Sequence, residues 1–83
     1  MKLCERIREF VWKEYILPAK ENHSDQLTIR AGDVHKKMGL HQRMPAVCSA
    51  ITTKMEDMYD IELVELKGPP SGQGANVFVT YRV

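Results

Sequence analysis

Residues 28–51, TIRAGDVHKKMGLHQRMPAVCSAI, decide the fold. Thr28 and Ile29 close a short alternating run, Leu27-Thr28-Ile29, long enough for one small strand. From Ala31 to Met38 the apolar residues Val34 and Met38 stand one helical turn apart, and Gly39 is placed to end that helix in the left-handed region. Asp33 near its start and Lys36 and Lys37 near its end suit the helix dipole. Leu40 to Met44 reads as a turn. Pro45 then suits the first position of a new helix, where a missing N–H costs nothing. Val47, Cys48, Ile51, Met55 and Met58 recur at helical spacing, which predicts one helix from Pro45 to Met58 with that stripe buried and the methionines as core filler.

Toward the N-terminus, Leu3, Cys4, Ile7, Phe10, Val11 and Tyr15 form the apolar stripe of an amphipathic helix, with Glu5, Arg6, Arg8, Glu9 and Lys13 between them. Trp12 lies off the stripe, to be packed over an edge or offered to a partner. Pro18 cannot donate to the carbonyl of Glu14, so the helix stops near Leu17 or kinks and continues to about Glu21. Toward the C-terminus, Ile61-Glu62-Leu63-Val64-Glu65-Leu66 reads as a strand whose apolar phase slips at Leu63-Val64, the signature of a bulge. Asn76 to Val83 alternates cleanly, with Val77, Val79, Tyr81 and Val83 on one face. Between them lies the turn-rich Gly68-Pro69-Pro70-Ser71-Gly72-Gln73-Gly74-Ala75, which makes the pair a hairpin with a long tip.

The 83 residues suffice for a single domain, 1–83, around one core. At 43% hydrophobic and a net charge of +1, the composition excludes an intrinsically disordered chain. The chain shows no apolar run of the roughly 20 residues a bilayer span needs. Its first residues, MKLCERIREF, lack the apolar stretch of a signal peptide, so a cytoplasmic location is expected. Cys4 and Cys48 stand apart, each among apolar neighbours, and read as reduced core residues. The charge is uneven. Residues 30–54 carry Arg30, Lys36, Lys37, Arg43 and Lys54 against Asp33 alone, a net of +4, while residues 56–65 carry five acidic residues and no basic one. Such a molecule has one face able to approach a polyanion.

The order helix, short strand, helix, turn, helix, strand, long loop, strand resembles the winged helix-turn-helix superfamily. It is carried by residues 28–51 and by the hairpin IELVELKGPPSGQGANVFVTYRV, residues 61–83. The resemblance implies an α+β fold of three helices with a C-terminal hairpin wing and a short first strand. It also implies a small prokaryotic transcriptional regulator whose third helix enters the major groove while the wing touches backbone. Two positions depart from the usual pattern. His35 stands where a small residue is usual, and Gly39 to Val47 spans eight positions where about six are usual.

With the apolar stripe inward, Ala46, Ser49, Ala50 and Thr53 are expected to face outward. Small and hydroxyl side chains there let a helix approach base edges. Arg43 at the mouth of that helix is the best candidate for a guanine or a phosphate, with Gln42 suited to adenine and His41 to a phosphate. Arg30, Lys36, Lys37 and Lys54 are expected on flanking phosphates, and Lys67, Ser71 and Gln73 on the wing contact, while Glu56 and Asp57 bound the footprint. Replacement of Arg43 is expected to weaken DNA binding and replacement of Arg8 to leave it unchanged. A monomer of this size binds weakly, and a homodimer on two half-sites is the usual remedy.

Catalysis has no support in the sequence. His23, His35 and His41 lack paired ligand spacing, so no metal or cofactor is expected, and GPPSGQG lacks the Lys-Ser/Thr ending of a phosphate loop. No small-molecule substrate and no membrane partner are expected. The rival reading is a winged-helix module for protein association, suited by Trp12 and the acidic strand residues Glu62 and Glu65.

Overall fold

The structure, a computed structural model, describes residues 2–69 and 74–83. The first helix begins as α1 (Leu3–Val11), widens into one π-helical turn at Trp12–Ile16, and continues as α2 (Leu17–Glu21). The π turn answers the sequence at Pro18. With no N–H there to meet the carbonyl of Glu14, a wider turn just upstream lets the helix carry on, with Leu17 N–H reaching Trp12 O. The helix ends in a Schellman motif, with Ser24 N–H on Ala19 O at 2.9 Å and His23 at φ 57°.

β1 (Gln26–Arg30) leads directly into α3 (Ala31–Lys37). Gly39 ends α3 at φ 68°, with Leu40 N–H on His35 O at 3.1 Å and Gly39 N–H on Lys36 O at 3.0 Å, the capping geometry expected of that glycine. Next come α4 (Met44–Thr52), the single turn α5 (Met55–Met58), β2 (Glu62–Lys67) and β3 (Phe78–Arg82). The three strands form an antiparallel sheet in the order β1-β3-β2. Thr28 pairs with Thr80 and Leu66 with Val79, and a register shift between Leu63 and Glu65 marks the bulge at the phase slip. The architecture is α+β. Ile29, Val79 and Tyr81 on one sheet face join Ile7, Val11, Val34, Val47 and Ile51 from the helices in the core. The opposite face carries exposed Phe78 among polar groups, with Thr28 and Thr80 hydroxyls 2.9 Å apart and Arg82 3.1 Å from Glu62.

The single helix expected from Pro45 to Met58 is two. Thr53 is extended and Lys54 sits at φ 63°, and the chain restarts as α5. The reason is local. Thr52 and Thr53 hydroxyls donate back to Cys48 O and Ser49 O, both at 2.7 Å, which favours leaving the helix. The orphaned carbonyls of the last turn of α4 then find donors elsewhere. Arg8 Nε on α1 donates to Ala50 O at 3.1 Å, and the Tyr81 hydroxyl on β3 donates to Ile51 O. The break also turns Met58 out of the core, so it is 49% exposed instead of buried. Trp12 is packed: its ring stacks on Tyr59 at 4.6 Å and an interplanar angle of 6°.

Candidate nucleic-acid interface

Three faces of α4 are settled by what lies against them. Val47, Cys48 and Ile51 are in the core. Ala46 and Ala50, with Thr53 just past the helix end, lie against α1. Cys4 Sγ is 3.8 Å from Ala46 O, and Arg8 reaches Ala50 O, Thr53 O and Thr53 Oγ1 at 3.1, 3.1 and 3.2 Å. Ala50 is fully buried, so it cannot read a groove, and the expectation that it faces outward is overturned. Ala46 is half-buried. Thr53 is exposed, but its hydroxyl is already held between Arg8 and Ser49 O. The physical reason is that small residues serve equally well where another helix must come close, and α1 crosses there. The outward stripe is instead Pro45, Ser49 and half-buried Thr52, which share one side at helical spacing.

Arg8 changes role with that finding. It is 6% exposed and sits at the α1–α4 crossing, so it cannot serve as a neutral control for binding. A signal for it was present in the sequence, because position 8 falls on the Cys4–Val11 stripe, four after one and three before the other.

The turn before α4 is fastened from beneath. His35 Nε2 accepts the Arg43 backbone N–H at 3.2 Å, an acceptor role that places the ring proton on Nδ1. This explains a histidine where a small residue is usual. Gln42 takes φ 51°, and the side chains of His41, Gln42 and Arg43 are exposed at the mouth of α4.

The chain returning to β3 runs beside α3 and α4. Val77 O and Ala75 O accept from Ala31 N–H and Gly32 N–H at 2.8 and 3.0 Å, which caps the start of α3. Cys48 Sγ lies 3.6 Å from Gly74 O, next to the exposed stripe of α4. Gly32 has no room for a side chain there, since an added Cβ would lie 2.9 Å from Ala75 Cβ and 3.0 Å from its carbonyl oxygen. Arg30 closes the same junction, bonding Asp33 at 3.0 Å and Asn76 Oδ1 at 3.2 and 3.3 Å. It braces the fold there, with 35% of its side chain still exposed.

The other expected contacts divide. Lys36 is exposed. Lys37 is also exposed, with its Nζ 4.7 Å from the centroid of the Tyr15 ring on the π turn. Lys54 is exposed between α4 and α5, and Lys67 is exposed on β2, 3.4 Å from Glu65. Ser71 and Gln73 lie outside the described residues. Residues 34–55 contain Lys36, Lys37, Arg43 and Lys54 and no Asp or Glu, so α4 and its approach present no carboxylate.

Among the described residues, no group of three His, Cys, Asp or Glu is disposed to hold a metal ion. A depression lined by Lys20, His23, Ser24, Asp25, Gln26, Arg82 and Val83 includes no residue of α4. No helix among the described residues is long and apolar enough to cross a membrane. No known protein family, curated protein or solved structure matches the chain.

Proposed function

We propose that this chain is a winged helix-turn-helix domain that binds double-stranded DNA, acting as a small prokaryotic transcriptional regulator in the cytoplasm. The topology supports the family reading: helix, strand, two helices, the single turn α5 and a hairpin, with the first strand paired to the last. One observation carries the DNA reading. The exposed stripe Pro45-Ser49-Thr52 is led by His41, Gln42 and Arg43, flanked by the hairpin's return, and set in a stretch without carboxylates. In this reading Arg43 makes a bidentate contact to guanine or phosphate and Ser49 meets a base edge or phosphate. The N-terminus of α4 favours a phosphate oxygen. Lys36, Lys54 and Lys67 supply backbone contacts.

Lys36, Arg43, Lys54 and Lys67 give about four cations for phosphates. The affinity is then expected to fall on the order of a hundredfold between 50 and 200 mM salt. Fluorescence anisotropy with a labelled duplex tests this. Arg43→Ala weakens binding and lowers the salt slope by about one, whereas exposed Lys13→Ala on the first helix does neither. Equal effects of the two substitutions, or binding that ignores salt, refute the reading.

A specific observation favours the second reading, a module for protein association. α1 covers the Ala46–Ala50 side of α4 and narrows the reading surface, while Met58, Val64 and Leu66 stay exposed on the acidic side of the molecule.

A further inference from the structure

We infer that the free edge of β2 is a self-association surface, on which a second copy of this chain pairs antiparallel about a two-fold axis at Leu66. Glu65 of each copy then faces the partner's Lys67. The inference does not rest on DNA binding.

β2 is an outer strand, and among the described residues no strand lies beyond it. An uncovered edge presents unpaired N–H and C=O groups, a template for another strand. The side chains strengthen the case. Leu66 pairs with Val79 and so points to the core side of the sheet, yet Leu66 is 55% exposed while Val79 is fully buried. The helices cover β3 and reach only the Leu63 end of β2. Every β2 residue except half-buried Leu63 is exposed, whereas the other edge strand, β1, buries Ile29 and has no large hydrophobic residue exposed.

The register follows from phase and charge. Residues that send their backbone groups away from β3 alternate along β2, and a two-fold at Leu66 matches that alternation in either phase. Glu65 and Lys67 pair with Thr80 and Phe78 and share the sheet face away from the core, so across this axis each Glu65 meets a lysine. An axis at Glu65 sets two carboxylates face to face, and one at Lys67 sets two ammonium groups so; both are disfavoured. The bulge between Leu63 and Glu65 ends the regular edge, which keeps the contact short and closed into a dimer rather than open into a fibre.

Sedimentation equilibrium of the full chain, without nucleic acid, tests the surface. Its average mass is expected to rise from 9.6 kDa toward twice that value between low micromolar and near-millimolar concentration. Glu65→Lys alone sets lysine against lysine, and Lys67→Glu alone sets glutamate against glutamate. Each weakens self-association by about tenfold or more. Mixing the two variants restores two attractive pairs, and so does the double exchange. In a Cys4→Ser background, Leu66→Cys is expected to form an intermolecular disulfide on mild oxidation, while Thr28→Cys on the other edge strand does not. A wild-type chain that stays monomeric overturns the inference, as do single reversals that associate like wild type or a mixture that fails to recover.

Discussion

Replacing Arg8 by alanine removes the donor group that closes the C-terminus of α4. Its guanidinium reaches two carbonyls and a hydroxyl, and no carboxylate among the described residues forms an ion pair with it. The charge is compensated by the negative end of α4. Ala50 O is buried and loses its donor outright, a penalty of about 1–3 kcal/mol. Thr53 lies at the exposed rim, so water replaces part of what is lost there. The helix-end charge interaction and the packed stem add roughly 1 kcal/mol more. The total is about 3 kcal/mol, which for a domain of this size lowers Tm by roughly 12–24 °C. Thermal unfolding followed by far-UV circular dichroism measures it, with Arg6→Ala as the exposed comparison. Arg8→Lys, a point charge without the planar fork, falls between wild type and alanine. A drop in Tm no larger than that of Arg6→Ala refutes the role given to this residue.

Three further outcomes follow from the same contacts. Burial pushes the Tyr81 phenol far above its usual range, so the unfolded chain ionises first. Stability is therefore full below about pH 10 and declines as pH rises above it. Tyr81→Phe costs about 1 kcal/mol at neutral pH and flattens that alkaline decline, as urea titrations across pH will show. Ala50→Leu at the α1–α4 crossing costs about 1–3 kcal/mol through overpacking, while Ser49→Leu stays within about 0.5 kcal/mol; equal costs by urea unfolding would reverse the facing assigned to α4. Gly32→Ala forces Ala75 off the start of α3 and lowers Tm by more than about 5 °C, measurable in the same thermal assay.

The elements were largely legible because their signals are local. Gly39 as a left-handed cap, the bulge at Leu63-Val64 and the buried alternation of Val77, Val79 and Tyr81 each depend on near neighbours. The break at Thr53 was not legible, since the apolar spacing runs unbroken to Met58. What ends the helix is back-bonding threonines joined by Arg8 and Tyr81, which come from distant parts of the chain. The candidate site was half legible for a related reason. Exposure of His41, Gln42, Arg43 and Ser49 follows from turn and period. The small side of α4 reads the same whether it faces a groove or another helix, and only the tertiary contact with α1 decides between them. Arg30 and Lys37 show the same limit, for their charge is visible in sequence and their partners Asn76 and Tyr15 are not.

The most direct test of the central claim is chemical-shift mapping of the isotope-labelled chain titrated with a short duplex at low salt. Perturbed amides are expected at Lys36, at His41 to Arg43, and at Ser49 and Thr52, with those of Glu62 and Glu65 unchanged. Shifts confined to the acidic β2 edge, or absent altogether at duplex excess, would contradict it.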